Sequence, residues 1–383
     1  MENLQKKIGI IGGGQLGQMM ILEAKKMGFY IITLDPTEKC PSHSISDEHI
    51  IADFHDENAI KLLAEKSDVI TYEFEHINAD ILQKLEDSGK KVYPTAKSLK
   101  IIQDKFSQKT VLRNNNIPVA DFLRIYTLDD MKKFGEKYSY PFMLKSCKDG
   151  YDGKGNFLVE SENQLEEAFH TLNGETCDLM AEKFFEYTME ISVLACRSVS
   201  GEIKVYPVAQ NIHHESILYK TLVPASISDE ISKKAMDLAE NVMKVFEGVG
   251  MFCVEMFVGK DGELSVNEVA PRPHNSGHYT IEGCITSQFE QHIRAVSGLP
   301  LGSPDLIMPT VMINILGENG YSGKALVKGA EEILSLDGTF LHIYGKEMTK
   351  PKRKMGHLTV ISKSLDDANK IADIAKSKIK IIS

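Results

Sequence analysis

No stretch of the 383-residue chain reaches the roughly 18 uninterrupted apolar residues that a membrane-crossing helix needs, although hydrophobic residues make up 42% of it. Its start, MENLQKK, leads into only four largely apolar residues before three glycines. That is too short for the apolar core of a secretory signal, so a cytoplasmic location is expected. The six cysteines, Cys40, Cys147, Cys177, Cys196, Cys253 and Cys284, show neither a CxxC spacing nor a regular framework. A structural zinc site and a disulfide scaffold therefore lack support, and free buried thiols are expected. Nor is there a basic excess. Forty-four Lys and Arg stand against 54 Asp and Glu, for a formal net charge of −10, which argues against nucleic acid as the main partner because neutralising many phosphates takes a basic face. Small anions in a local basic pocket stay compatible.

What is present is a chain longer than the roughly 250 to 300 residues that one core serves, so two or three domains are expected. It opens with a buried strand, Lys7 to Ile11, the turn Gly12-Gly13-Gly14-Gln15-Leu16-Gly17, and a helix. Strands Phe29 to Leu34 and Val69 to Phe74 follow, with a helix over Glu57 to Lys66 between them. Alternating β and α units predict a doubly wound parallel sheet. Lys91 to Pro94 reads as its last strand, and Ser98 to Asn115 as one long serine-capped helix. Beyond Pro118 the order is mixed. Strands at Pro141 to Ser146, Asn156 to Glu160 and Leu179 to Phe185, a hairpin at Ser200-Gly201 and a helix over Asp229 to Glu247 predict an α+β unit. From Pro300 onward short strands and Pro/Gly punctuation predict a small β-rich cap.

The motif G-x-G-x-x-G, with Asp35 at the end of the second strand, fits a dinucleotide site and fits equally a glycine turn that merely allows close helix packing. Glu255 and Glu268 carry a stronger signal. A two-residue hairpin loop at Asp261-Gly262 sets them directly opposite on one face, their Cβ atoms roughly 5 Å apart. Two such carboxylates repel unless a cation compensates, and a hard divalent ion with phosphate oxygens completing its shell is the natural one. In that ideal hairpin Asn267 faces the other way, so a metal role for it needs a bulge. Lys145 on a strand, followed by Lys148-Asp149-Gly150-Tyr151-Asp152-Gly153-Lys154-Gly155, makes a flexible basic flap able to close on phosphates. It is not a Walker loop. Of His213-His214, adjacent on a strand, only one side chain can face a site. Arg272, His274 and Asn275 follow Glu268 closely and suit an anion, and Lys346 with Lys350 to Lys354 forms the dense basic cluster.

These residues, with Glu182-Lys183-Phe184-Phe185, Glu190, and Asn267-Glu268-Val-Ala-Pro-Arg-Pro-His-Asn-Ser-Gly-His, resemble the ATP-grasp ligases, and within them the 5-(carboxyamino)imidazole ribonucleotide synthetases. The resemblance implies a Rossmann-like pre-ATP-grasp domain over residues 1–100, an α+β ATP-grasp domain over 101–298 with a lid at about 118–186, and a β-rich C-terminal domain over 299–383. It also implies a homodimer that carboxylates 5-aminoimidazole ribonucleotide with ATP and bicarbonate, through carboxyphosphate, in de novo purine synthesis. By position, Lys105, Lys145 and the flap residues Gly150, Tyr151, Asp152, Gly153, Lys154 and Gly155 would contact ATP. Glu182 to Phe185 would take the adenine side, Glu190 the ribose, and His213 and Asn267 the nucleotide. Glu255 and Glu268 would hold magnesium, with manganese as the alternative ion. Arg272, His274 and Asn275 would face bicarbonate, and Tyr151, Asp152, Lys346 and Arg353 the aminoimidazole ribonucleotide. The glycine turn would face that ribonucleotide's phosphate and not NAD. Three departures stand out: Lys105 where the family commonly has arginine, Ser216 where a glycine is usual, and Lys148-Asp149 ahead of Gly150-Tyr151 where Gly-Gly-Tyr is usual.

Overall fold

The computed structural model describes residues 2–148, 150 and 155–383. Strands Lys7–Ile11 (β1), Tyr30–Leu34 (β2), Glu48–Ile50 (β3) and Val69–Tyr72 (β4) form a parallel sheet in the order β3–β2–β1–β4. β1, β2 and β4 are nearly uninterrupted apolar runs because both faces are covered, as parallel sheets require. On one face Ile11, Ile32 and Tyr72 pack among residues of the helices Glu57–Lys66 and Ala79–Asp87. On the other, Ile8, Ile10 and Ile31 pack on Met20 and Ile21 of the helix Gln15–Lys26, and on Phe289 and Ile293 from far along the chain. We label these three helices α2, α3 and α1. The expected strand at Lys91 to Pro94 is a single bridge, Ile70 to Val92.

The long helix expected over 98 to 115 is two, Ala96–Ile102 (α4) and Lys105–Asn114 (α5). Thr95, not a serine, caps the first. Asp104 breaks the run because its side chain accepts from Ser107 N at 2.8 Å and starts a new helix. Strands Phe122–Ile125 (β5), Phe142–Ser146 (β6), Asn156–Val159 (β7) and Leu179–Lys183 (β8) then make an antiparallel sheet, ordered β5–β8–β6–β7, with helices Leu128–Tyr138 (α6) and Leu165–Thr171 (α7) against it.

A nine-stranded antiparallel sheet is built from Tyr187–Arg197 (β9), Ile203–Val205 (β10), Ala209–His214 (β11), Ile217–Val223 (β12), Gly250–Gly259 (β13), Leu264–Ala270 (β14) and Thr310–Leu316 (β15), continued by Lys354–Ile361 and Thr339–Ile343. The C-terminal strands thus extend the central sheet instead of capping it separately. They also carry an unexpected helix, Leu365–Lys378, which packs through Ala368, Ala372 and Ala375. Helix Asp229–Phe246 (α8) covers one face of β9 and β13; Thr280–Gly283 (α9) and Gln288–Ser297 (α10) lead back to the first domain. Five cysteines are buried free thiols, but Cys177 is exposed.

His292 of α10 joins the two large units. Its Nδ1 accepts from Met251 N at 3.1 Å, so the proton sits on Nε2, which lies 2.7 Å from Thr71 Oγ1 on β4. Burial drives its pKa down to about 3. The ring is neutral when folded and protonates near its ordinary value of about 6.5 when unfolded. Unfolding therefore takes up a proton below that value, and stability is full above pH ~6.5 and declines as pH falls toward 3. His292→Gln, which keeps a donor and an acceptor, should show a shallower loss of melting temperature between pH 6.5 and 4 than the parent. Equal slopes would contradict this.

Candidate active site

The hairpin of β13 and β14 sets the site. Its loop is three residues, not two: Val258 pairs with Leu264, Gly259 N bonds Glu263 O at 2.9 Å, and Gly262 closes the turn at φ +77. That alone would set Glu255 opposite Asn267. A bulge intervenes, for Met256 pairs with Val266 while Glu255 pairs with Glu268, leaving Asn267 as the extra residue. The two carboxylates end up opposite each other as the sequence predicts, and Asn267 turns to the same side, its Oδ1 3.4 Å from Lys145 Nζ.

Burial and the charge of Glu268 push Glu255 up to about 7. Burial would raise Glu268 as well, but Lys105, 2.5 Å away at the start of α5, with Lys145 and Arg272, holds it below the usual range. The donors here, Glu255, Asn267 and Glu268, present oxygen only, which fits a hard cation. Behind them Arg272 Nε meets Glu75 Oε1 of the first domain at 2.8 Å. His274 Nδ1 accepts from Ser276 N, so Nε2 carries the proton and lies 3.6 Å from Glu255 Oε1. Burial, then Arg272, keeps that ring far below its ordinary pKa. Asn275 Nδ2 is buried without a partner among the described residues, an unsatisfied donor of the kind that a bound anion's oxygen would complete.

A cleft of about 680 Å³ gathers Lys105, Gly150, Glu190, His213 and the 255, 267–268 and 272–275 groups, together with Glu73 and Glu75 of the first domain. His213 Nδ1 lies 2.8 Å from Glu190 Oε2 as an ion pair, and Glu190 accepts from Tyr187 OH at 3.0 Å. His214 turns away onto Tyr219. Ser216, in the β11–β12 turn, takes φ +63, the left-handed conformation that a glycine would adopt without strain. Lys183, Phe184 and Phe185 line a separate cavity of about 410 Å³. Tyr151, Asp152, Gly153 and Lys154 lie outside the described residues.

The Ribonucleotide synthetase preATP-grasp domain profile matches residues 5–103, the ATP-grasp domain 110–289, and the Phosphoribosylaminoimidazole carboxylase C-terminal domain 310–371. The N5-carboxyaminoimidazole ribonucleotide synthase of Bacillus subtilis is 45% identical over 361 residues, 94% of this chain and 92% of that protein. This chain belongs to the N5-carboxyaminoimidazole ribonucleotide synthase family. The crystal structure of the Thermotoga maritima synthetase superposes with a TM-score of 0.91 at 46% identity, covering 99% of this chain and 100% of the other. The Aspergillus clavatus synthase in complex with ADP and 5-aminoimidazole ribonucleotide gives 0.90 at 35%, covering 98% of each.

Against the family's expected sites, Glu182 is committed internally. Its carboxylate lies between Lys109 at 2.8 Å and Lys145 at 3.0 Å, all three nearly buried. Gly155 folds back so that its carbonyl accepts from Ser146 N at 2.8 Å. Lys346 donates to Lys354 O, and Arg353 to Met348 O. The glycine turn is also occupied from within. Gly14 N and Gly17 N donate to the two oxygens of Glu73 at 2.5 and 2.6 Å, and Gly13 N donates to Asp35 Oδ2 at 2.8 Å. A Cβ on Gly14 would lie 2.6 Å from Glu73 Oε1, which is why glycine stands there. Asp35, the carboxylate that a dinucleotide reading would use, is thereby taken up by the turn. Sequence reasoning missed Glu73, Glu75 and Lys109. For the first two the signal was two acids at the carboxyl end of a parallel strand, where ligand crevices form. For Lys109 it was a lysine one turn after Lys105 on the buried side of α5.

Proposed function

We propose that this chain joins bicarbonate to the exocyclic amine of 5-aminoimidazole ribonucleotide at the expense of ATP, giving N5-carboxyaminoimidazole ribonucleotide, ADP and phosphate. The observation that carries the reading is the meeting of the Glu255–Glu268 pair with Arg272, His274 and Asn275 in one cleft that also reaches Glu73. In this reading a bicarbonate oxygen attacks the γ-phosphorus with loss of ADP, and the amine then attacks the carboxyl carbon of the carboxyphosphate, releasing phosphate and a proton. Glu255 and Glu268 would hold a magnesium ion, or manganese in its place, which would supply charge neutralisation at the transferring phosphoryl group. The described residues contain no cluster of three His, Cys, Asp or Glu ligands, so the ion would need oxygens from the bound nucleotide as well. Arg272, protonated and fixed by Glu75, and the free Asn275 amide face the developing negative charge. Lys105 and Lys145 serve the phosphates, Glu190 and His213 the sugar, and Phe184 and Phe185 the base side. Tyr151 and Asp152 of the flap, with Lys346 and Arg353, serve the acceptor. The reading carries with it three units over 1–100, 101–298 and 299–383, a homodimer and a cytoplasmic location in purine synthesis.

The test is ADP release in the presence of bicarbonate and magnesium. It should be slow alone and rise when aminoimidazole ribonucleotide is added, with carboxylated product formed in step. ADP release indifferent to that acceptor would overturn the assignment.

Lys346 gives a second check. Burial, then Arg353, lowers its pKa to about 8, with Glu73 opposing. It is charged below that value, so kcat/KM for aminoimidazole ribonucleotide should fall as pH rises through about 8. Lys346→Arg should move that limb to higher pH, because a guanidinium stays protonated. Lys346→Ala should raise KM for the acceptor roughly tenfold, the worth of one charge-assisted contact, and leave KM for ATP nearly unchanged. Equal weakening of both substrates would contradict this division.

A further inference from the structure

β14 is an edge strand of the nine-stranded sheet, so among the described residues its outer N–H and C=O groups have no neighbouring strand to bond. Helix α5 and the segment just after it supply substitutes on either side of the bulge. Before it, Val266 N donates to Pro118 O at 2.8 Å, and Lys109 Nζ donates to Val266 O at 3.3 Å. After it, the side-chain amide of Gln108 behaves as a peptide group of a missing strand: Oε1 accepts from Val269 N at 2.9 Å and Nε2 donates to Val269 O at 3.1 Å. Gln108 and Lys109 are each only 2% exposed, so neither serves solvent. Between these anchor points stand Asn267 and Glu268.

The register matters because side chains alternate faces. Without the bulge, the pairing of Met256 with Val266 would continue to Glu255 with Asn267, and Glu268 would point to the opposite face. We propose that Gln108 and Lys109 are positioning residues: they hold the β14 edge on both sides of the bulge and so keep Glu268 opposite Glu255. Lys109 extends the same restraint to the phosphate side, since the Glu182 carboxylate it pairs with also holds Lys145. The inference rests on the reading of Glu255 and Glu268 as the metal-holding pair.

The experiment is a Mn²⁺ titration of the ADP-bound full-length protein, with free Mn²⁺ followed by electron paramagnetic resonance well below the melting temperature. Gln108→Leu exchanges one uncharged side chain for another, so a change in affinity is not a charge effect. It should weaken Mn²⁺ about tenfold or more, the usual cost of losing a group that orients a metal ligand. Gln108→Met, whose flexible side chain fills similar space, is measured alongside and decides the matter if the leucine variant does not fold. Mn²⁺ affinity equal to the parent in a folded Gln108 variant, even with a lowered melting temperature, would overturn the proposal and leave Gln108 a purely structural residue. Glu268→Gln separates the two layers of the argument. If it binds Mn²⁺ as the parent does, the metal reading itself falls; if it loses Mn²⁺ while the Gln108 variants do not, only the positioning role falls.

Discussion

Two carboxylates held face to face on neighbouring strands are the constraint around which the rest of this site is arranged. Like charges directly opposite on a strand pair are destabilising, and Glu255 and Glu268 are set so by a bulge that costs a regular ladder. The surroundings compensate unevenly. Glu268 has Lys105 within ion-pair distance, whereas the described residue at that range from Glu255 is His274, whose ring burial keeps uncharged. The result is a pair with one carboxylate held ionised and the other pushed toward neutrality, an arrangement that a divalent cation would relieve. Strain of this kind is retained where function needs it and offset by the surrounding fold.

The site is also a junction between parts of the chain far apart in sequence. Glu73 and Glu75 leave the end of β4 two residues apart and go to different places, the first into the glycine turn and the second onto Arg272. The first domain thus fixes the Arg272 guanidinium of the central domain, while Phe289 and Ile293 of α10 complete the first domain's own core. With Thr71 bonded to His292, the relative placement of the two units is over-determined. Fixed placement of this kind suits a cleft whose lining comes from more than one unit.

The sequence made the parallel sheet and the main strands legible because period-two and buried runs report directly on which face is covered. β1 and α2 fall on the expected residues. The opposition of Glu255 and Glu268 was also legible, though by two offsetting errors. The loop is one residue longer than Asp261-Gly262 suggests, and the bulge at Asn267 restores the register. Alternation identifies a face but does not count loop residues, and a bulge leaves no compositional mark. The break at Asp104 was readable only as a helix-capping residue inside a helical pattern. The helix over Leu365–Lys378 buries alanines, which give little apolar contrast. Lys109, Gln108 and Glu73 were hidden for a common reason: a polar residue on a buried face looks like an error in the pattern until its partner, more than fifty residues away, is brought beside it.

The central claim is that the carboxylate pair is an electrostatic cost in the metal-free protein that a nucleotide-bound divalent ion removes. Thermal unfolding of Glu255→Gln with and without Mg²⁺ and ADP tests it most directly, because a ligand that binds only the folded state raises its melting temperature. The account predicts a variant that melts higher than the parent without ligand, the repulsion being gone, and that gains little from Mg²⁺ and ADP together. A variant that melts lower without ligand and keeps the parent's full gain with it would contradict the account.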